Sequence, residues 1–501
     1  MAGRRPPLLA EQADPEYPAP TAEQLQGYAQ LLTNRTAAGP DGVPNELIRY
    51  ASPLFFTVLQ KFIERCWAGC QFPAAWTTTC LQPIPKQPRA TTVGQHRLIA
   101  LCSAAYKLVA RHILHLLDSR LPELEHYQAG FLPGRSCYDH LFVTRRILDQ
   151  YWRAGRPVTA LSLDIQKAFP SMDQAALTQD LLRRGLSPYF VNRIIATALT
   201  QTTYIRWGAG KTASVEVGRG VRQGCPVSPR LFTIGLDAAI RRAAEAVPEY
   251  SMSLANPRFL PVVLAYADDI LIIVEDLEGL ERFLQALFEA LRGLGLHINP
   301  DKCKVIVRAP GRIAPPLPCP FQIGPYRFQR VRQLVYLGAI LPSELGRSEV
   351  VHHRIGRGQR SLAGIIPTLH RHPMPPKLLH RFFKTIVLPA CAYELATHAS
   401  TKRGRTSLRR EAGIMYRAMI ATARNPAAGQ GLTARHYHQA SITRAVRHSR
   451  LRLQGHILRR PAGHPLRRAL ELDLGRKKVG RPCFTYNEAI QRDISLVPPP
   501  C

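Results

Sequence analysis

The sequence predicts an α+β fold, and three observations predict it. Hydrophobic residues make up 46% of the 501 positions and charged residues 20%, which supplies a sizeable core and argues against a disordered chain. Short apolar runs with strand character alternate with segments of helical periodicity. After about Leu341 the texture changes: helical segments dominate, strands thin out and arginines multiply.

Taken in order, the residues through about Pro20 are rich in Pro and Ala and read as loose. Thr21 to Thr33 reads as a helix, with Thr21 as cap and Leu25, Tyr28, Leu31 and Leu32 on one side. The Gly/Pro-rich loop Ala38-Gly-Pro-Asp-Gly-Val-Pro44 leads into a helical stretch from Asn45 to about Ala68. Ala104 to Leu117 is a further helix, and Val158 to Ile165 is strand-like. Ser228-Pro229 opens a helix, with serine as cap and proline in the first turn. Val262 to Val274 is two short apolar strands around a polar turn, a hairpin signal. Glu278 to Leu294 is an amphipathic helix that stops near Gly295. The 42 prolines and 34 glycines imply many loops, and no internal repeat stands out.

The sharpest chemical feature is Tyr266-Ala267-Asp268-Asp269 between Val262-Val263-Leu264 and Ile270-Leu271-Ile272-Ile273-Val274. Two adjacent carboxylates at a hairpin tip repel each other, and nothing nearby in sequence neutralises them. A divalent cation would. On the strand Val158 to Asp164, positions 158, 160, 162 and 164 share one face, so a third carboxylate, Asp164, ends it. Laid beside the hairpin, this strand would gather three oxygen donors of the kind that suits Mg²⁺. Two such ions can activate a primer 3′-oxygen and stabilise a leaving pyrophosphate.

The net charge is +32, from 67 Lys+Arg against 35 Asp+Glu, and it is clustered. Residues 351–501 hold 28 Lys/Arg and 6 Asp/Glu, a surplus of 22. A field of this size calls for a polyanion, and nucleic acid is the partner it suits best. No membrane partner is expected: the best apolar run, 261–274, is broken by Asp268 and Asp269, and no long apolar segment follows Arg4 and Arg5. The 11 scattered cysteines read as free thiols, and Cys66, Cys70 and Cys80 lack the histidines or second cysteine pair of a zinc site.

Several blocks resemble one family. Asp164-Ile-Gln-Lys-Ala-Phe169, Gly220-Val-Arg-Gln-Gly-Cys-Pro-Val-Ser-Pro229 and Tyr266-Ala-Asp-Asp269 look like the three central palm motifs of non-LTR (LINE-type) retrotransposon reverse transcriptases, in the family's order. Ala38–Pro44 resembles its N-terminal fingers motif. Pro83-Ile-Pro-Lys86, His96-Arg-Leu-Ile99 and Tyr106-Lys107 resemble the next block. Gln128-Ala-Gly-Phe131 with Pro133-Gly-Arg-Ser136 resembles the one after. Gly295-Leu-His-Ile-Asn299 with Lys302, and Tyr336-Leu-Gly338, resemble the last palm motifs. The likeness runs from about Ala37 to Gly338; Leu388-Pro389, Tyr393-Glu394, Gly455-His456 and Gly480-Arg-Pro482 extend it less specifically.

The resemblance implies a right-hand polymerase: fingers, a palm with an antiparallel sheet, a helical thumb and a basic helical C-terminal tail. It implies that Asp164, Asp268 and Asp269 bind two Mg²⁺ ions, with Mn²⁺ as a substitute. Phe169 would sit beneath the incoming sugar and reject a 2′-hydroxyl. Gln223 and Gly224 would border the nucleotide and template, Lys86 and Arg97 would hold triphosphate oxygens, and Lys302 would steady the pyrophosphate. The implied partners are an RNA template, a DNA primer, dNTPs and the element's own RNA. The implied location is the nucleus, after cytoplasmic RNA–protein assembly. The expected division is an extension over 1–36, fingers and palm over 37–341, a thumb-like region over 342–400 and a basic nucleic-acid-binding region over 401–501.

This sequence departs from the family pattern at Pro170 and Ser171, where an aspartate usually follows the motif A phenylalanine. It departs also at His96 and Leu98 around Arg97, and at Cys303 in place of threonine. Of these Pro170 matters most, because it fixes φ and removes a donor. No room for a nuclease domain is found ahead of Ala37, so the chain reads as the polymerase part of a larger element or as a truncated gene product. A catalytically inactive nucleic-acid-binding remnant and a group II intron-type reverse transcriptase are the readings the motifs leave open. The segment Leu474 to Pro482 reads as a nucleic-acid contact, a nuclear-import signal or an exposed basic loop.

Overall fold

The computed structural model describes residues 6–208, 210–247, 262–275, 278–309, 321–323, 326–344, 347–372, 374–422, 441–475 and 485–497. Most of the stretch Leu474 to Pro482 lies outside them. Its strands are β1 (Thr78–Pro85), β2 (His96–Leu101), β3 (Val158–Leu163), β4 (Gln201–Trp207), β5 (Gly210–Lys211) and β6 (Val215–Val217). There follow β7 (Val262–Tyr266), β8 (Asp269–Val274), β9 (Lys304–Arg308), β10 (Phe321–Ile323), β11 (Tyr326–Arg330), β12 (Gln333–Tyr336) and β13 (Ala339–Pro342). The chain forms two compact units, one of Met1–Pro133, Asp164–Ser251 and Glu281–Asn299, the other of Gly134–Leu163, Met252–Leu280 and Pro300–Cys501.

In the first unit, the helix Ala22–Gln30 starts where a capping box closes: the Thr21 hydroxyl accepts from Gln24 N and the Gln24 side chain accepts from Thr21 N. The stretch expected as one helix from Asn45 to Ala68 is two, Asn45–Arg49 and Pro53–Ala68. Proline disfavours helical backbone in the residue before it, and Ser52 caps the second helix with Pro53 in its first turn. The cap of the helix Ser228–Glu245 also differs from expectation: Val227 is the cap and Ser228 is already helical. A five-stranded sheet runs in the order β2-β1-β4-β5, with β6 on β4; β1 pairs antiparallel to β2 and parallel to β4.

The second unit is built on a six-stranded sheet, β10-β11-β9-β3-β8-β7. It is antiparallel except where β11 lies parallel to β9. β3 is central and buried at every position but Ser162, which is why Val-Thr-Ala-Leu-Ser-Leu shows no clean alternation of apolar and polar residues. Val158, Ala160, Val262, Leu264, Leu271, Ile273 and Ile306 share one core with Leu141, Phe142 and Leu148 of the helix Cys137–Ala154. Three C-terminal helices, Ile442–Leu458, Pro465–Glu471 and Tyr486–Ser495, bury Ile457, Leu466 and Ile490 in that same core. Buried Arg146 donates to the carbonyls of Ala469, Leu470 and Leu472, satisfying the end of the second of them. A neighbouring core unites the helices Arg347–Arg371, Leu388–Ala392 and Lys402–Thr422. Among the described residues no helix is long and apolar enough to cross a membrane.

Candidate active site

The carboxylates owe their placement to strand register. β3 and β8 pair antiparallel, and their last pair is Leu163 opposite Ile270. The next residue along β3 is Asp164, and the residue before Ile270 in β8 is Asp269. β7 and β8 close as a tight hairpin in which Tyr266 pairs with Asp269, leaving Ala267 and Asp268 as the turn. Ala267 takes a left-handed conformation with φ 55° and is buried, so the turn aims Asp268 and Asp269 outward at a cost of about 1–3 kcal/mol. Asp164 and Asp268 are half-buried and Asp269 is exposed. β9 begins at the same end of the sheet, with Lys304 opposite Ser162, and exposed Lys302 lies just before it.

A packed layer supports the hairpin. The Tyr336 hydroxyl donates to the Leu264 carbonyl at 3.3 Å and lies 3.0 Å from His140 Nδ1. Burial, and then the Asp269 charge, push the Tyr336 phenol well above its ordinary value. Burial holds His140 down at about 3, so its imidazole is neutral at physiological pH. Tyr266 meets the same imidazole edge-on, ring centroids 6.2 Å apart.

Beyond Asp164 the chain is tied by its backbone. The Asp164 carbonyl accepts from Asn299 N at 2.8 Å, Gln166 N donates to the His297 carbonyl at 2.8 Å, and Ile165 bridges Ile298. The single-turn helix Ala168–Ser171 follows, entered through Lys167 at φ 43°. Its first internal bond runs from Ser171 N to the Lys167 carbonyl, so position 170 needs no donor and Pro170 fits. Half-buried Phe169 stacks on Phe232 with centroids 4.9 Å apart and meets exposed Phe131 edge-on at 6.1 Å.

Exposed Gln223 is fixed through its backbone, whose carbonyl accepts from Ala100 N on β2 at 2.7 Å. Gly224 beside it has φ 121°, and a Cβ there would come within 2.7 Å of the Ala100 carbonyl, so only glycine allows the docking. Gly220 likewise packs on the backbone of Pro170, within 2.6 Å of where a Cβ would stand. Arg97 pairs opposite Ile84, and Lys86 is two residues from Ile84, so the two cations share one face of the five-stranded sheet. Both are exposed, and Lys86 Nζ donates to the Gly94 carbonyl at 2.9 Å.

The expected residues thus fall into two groups. Asp268, Asp269 and Lys302 lie at one end of the six-stranded sheet, where β3 leads into Asp164; Lys86, Arg97, Phe169, Gln223 and Gly224 belong to the first unit. Phe131, Phe232, Tyr336 and His140 support these positions, and no role was read for them in the sequence. Phe131 and Tyr336 lie inside quoted motifs, whereas Phe232 and His140 sit in helices whose pattern signals only burial.

Residues 84–341, more than half of the chain, match the family described as Reverse transcriptase (RNA-dependent DNA polymerase). The chain belongs to the reverse transcriptase family. It is similar to the Transposon TX1 uncharacterized 149 kDa protein of Xenopus laevis, 27% identical over 278 residues that cover 55% of this chain and 21% of that one. It is similar also to the Retrovirus-related Pol polyprotein from type-1 retrotransposable element R2 of Nasonia vitripennis, 26% identical over 369 residues, 71% of this chain and 34% of that one. Among solved structures, apo telomerase from Candida tropicalis aligns with TM-score 0.40 and 11% identity over 76% of this chain and 62% of the other. The chain therefore spans about a fifth to a third of the length of these two curated relatives. The relatives it matches include R2 and TX1 non-LTR retrotransposon proteins, and the α+β right-hand fold expected from the sequence is the family's.

Members of this family use divalent metal ions. Carboxylate oxygens are the hard donors such an ion takes, and Asp268 and Asp269 offer them side by side at the hairpin tip. Among the described residues no three His, Cys, Asp or Glu side chains are gathered as a ready ligand group. An ion of the Mg²⁺ type binds through one or two carboxylates and completes its shell with water and substrate phosphate.

Proposed function

We propose that the chain is the polymerase portion of a non-LTR retrotransposon protein, adding dNTPs to a DNA primer 3′-end with RNA as template, the element's own RNA being the natural one. The β3–β8 register carries this reading, because it sets Leu163, the residue before Asp164, opposite Ile270, the residue after Asp269. Asp164, Asp268 and Asp269 would hold two Mg²⁺ ions, or Mn²⁺ in their place, which when bound neutralise phosphate charge and favour the ionised primer 3′-oxygen.

The protein's own groups bind and orient. Phe169, braced by Phe232, presents an aromatic edge to the sugar and leaves no space for a 2′-hydroxyl. Gln223 faces the nucleotide and template from a loop locked to β2, with Gly224 allowing close approach. Lys86 and Arg97 draw in the triphosphate, and Lys302 steadies pyrophosphate as it leaves. The surplus cations of residues 351–501 hold the nucleic acid, with an affinity that falls steeply as salt rises.

Primer extension on poly(rA)/oligo(dT) tests the reading. Asp268→Ala is expected to lower extension by about three orders of magnitude, the worth of several kcal/mol of charge stabilisation. Its RNA affinity is expected to stay within about twofold, since the basic surface supplies it. Extension by Asp268→Ala at the wild-type rate rejects the assignment.

A further inference from the structure

A second concentration of charge lies away from the carboxylates. The helices Lys402–Thr422, Ile442–Leu458 and Tyr486–Ser495 enclose a cavity of ≈ 350 Å³. Six cations line it: Lys402, Arg405, Arg409, Arg447, Arg450 and Arg492. One carboxylate, Asp493, faces them, and it is already engaged by Arg450 at 2.5 Å and Arg492 at 2.7 Å. Formal charge around the cavity is therefore about +5 before any ligand enters.

Carbonyls cap part of this cluster, Arg405 donating to the Ser400 carbonyl at 2.5 Å and Arg447 to the Leu496 carbonyl at 3.4 Å, but Asp493 is the one carboxylate among the lining residues. Arg450 is 2% exposed; its terminal nitrogens serve Asp493 and the Leu395 and His398 carbonyls, while its Nε has no hydrogen-bond partner among the described residues. Burial lowers the Arg405 guanidinium, and the crowding charges of Arg492 and Arg450 lower it further. Such crowding destabilises a fold unless an anion relieves it. Leu408 and Val446 supply apolar wall between the guanidinium groups. Planar donors that grip phosphate oxygens beside an apolar surface for a sugar or base, in a space of this volume, match a single nucleotide unit.

We propose that this cavity is a phosphate-binding site that captures one nucleotide of a single-stranded nucleic acid. The proposal rests on the nucleic-acid reading above and gives the basic C-terminal region a defined pocket in place of a diffuse field.

The test is equilibrium binding of a labelled single-stranded RNA 20-mer to the full chain, without dNTPs or divalent metal, over a series of salt concentrations. Arg409→Gln/Arg447→Gln removes two cations from the wall and leaves the buried Arg450–Asp493 pair in place. Arg403→Gln/Arg444→Gln removes the same formal charge outside the cavity. The pocket pair is expected to weaken binding at least about tenfold and to flatten the salt slope by about 1.4, two phosphate contacts' worth on a single strand. The outside pair is expected to weaken it no more than about threefold, and Arg409→Lys/Arg447→Lys to restore most of the slope. Melting measured with and without inorganic tripolyphosphate supplies a second readout, with stabilisation of the wild type expected to shrink in the pocket pair. Equal weakening by the two glutamine pairs overturns the proposal, and so does a pocket that responds to tripolyphosphate while RNA binding stays unchanged. Because metal and dNTPs are absent, a wild-type chain that binds RNA through the pocket yet fails to extend a primer rejects the polymerase reading alone.

Discussion

Removing the carboxyl of Glu394 tests how the second unit holds together. Glu394 is completely buried, at φ 63°, and pairs with two arginines from different helices. Arg145 on Cys137–Ala154 contacts one carboxylate oxygen, and Arg354 on Arg347–Arg371 lies 2.7 Å from the other. Arg145 also donates to the Ile340 carbonyl, and Arg354 to the Gly338 carbonyl at 2.7 Å. Burial raises the Glu394 carboxyl above 4.5 and lowers the Arg354 guanidinium, so desolvation outweighs attraction on both sides. A group whose folded value is raised stabilises the fold most below its unfolded value and loses that contribution as pH rises through the folded one. Glu394→Gln should therefore remove a decline in stability that begins above about pH 4.5. Glu394→Ala strands two buried cations and is expected to cost about 3–5 kcal/mol. Replacing all three groups, Arg145→Met/Arg354→Met/Glu394→Leu, removes the charges together and loses two carbonyl contacts at about 0.5–1.5 kcal/mol each, a total near 1–3 kcal/mol. Urea unfolding with the m-value checked for constancy measures both. A triple variant less stable than Glu394→Ala would refute the reasoning.

Two further outcomes follow from packing. Phe169→Ala removes the ring stacked on Phe232, and steady-state incorporation should show discrimination against ribonucleotides falling by about 10–200-fold; an active variant with unchanged sugar selectivity counts against the gate. Gly358→Ala places a Cβ 2.1 Å from the Cys391 sulfur in a fully buried helix contact, and urea titration should show a loss of about 1–3 kcal/mol, with Cys391→Ala in the same chain restoring part of it.

What the sequence made legible was local. The hairpin of β7 and β8 was bounded by its own apolar runs, and β3 by its near-continuous burial; both stand where expected, with β3 ending two residues before Ile165. Thr21 announced its capping box through Gln24 three residues on. The break before Pro53 was present as a Ser-Pro pair, and a helical reading of residues 45–68 passed over it. Partners far apart in the chain gave no such sign. Glu394 meets Arg145 across 249 positions, and Arg193 is wholly buried against the Trp67 carbonyl and Glu11. An isolated arginine reads as surface, and only the fold supplies the acceptors that let it be buried. The parallel pairing of β1 with β4 is equally non-local, since strand character does not name its neighbour.

That contrast explains how the backbone accommodates the departures from the family pattern. Within the first unit the motif segments are joined by main-chain bonds: Asp164 to Asn299, Gln166 to His297, Asp173 to Leu294, Phe169 to Val221, Met172 to Gly220 and Ala100 to Gln223. Bonds of this kind depend on backbone path and are indifferent to side-chain identity, so His96 and Leu98 can vary on β2 without moving Gln223. Cys303 is fully buried, where a thiol packs as a small apolar group and needs no hydroxyl partner. Pro170 occupies the turn position whose N–H has no helical acceptor, and its backbone still supports Gly220. Gly220 and Gly224 stand where the backbone itself demands glycine, and Asp164, Asp268 and Asp269 are the positions whose charge the proposed chemistry would need. All five match the family's motifs.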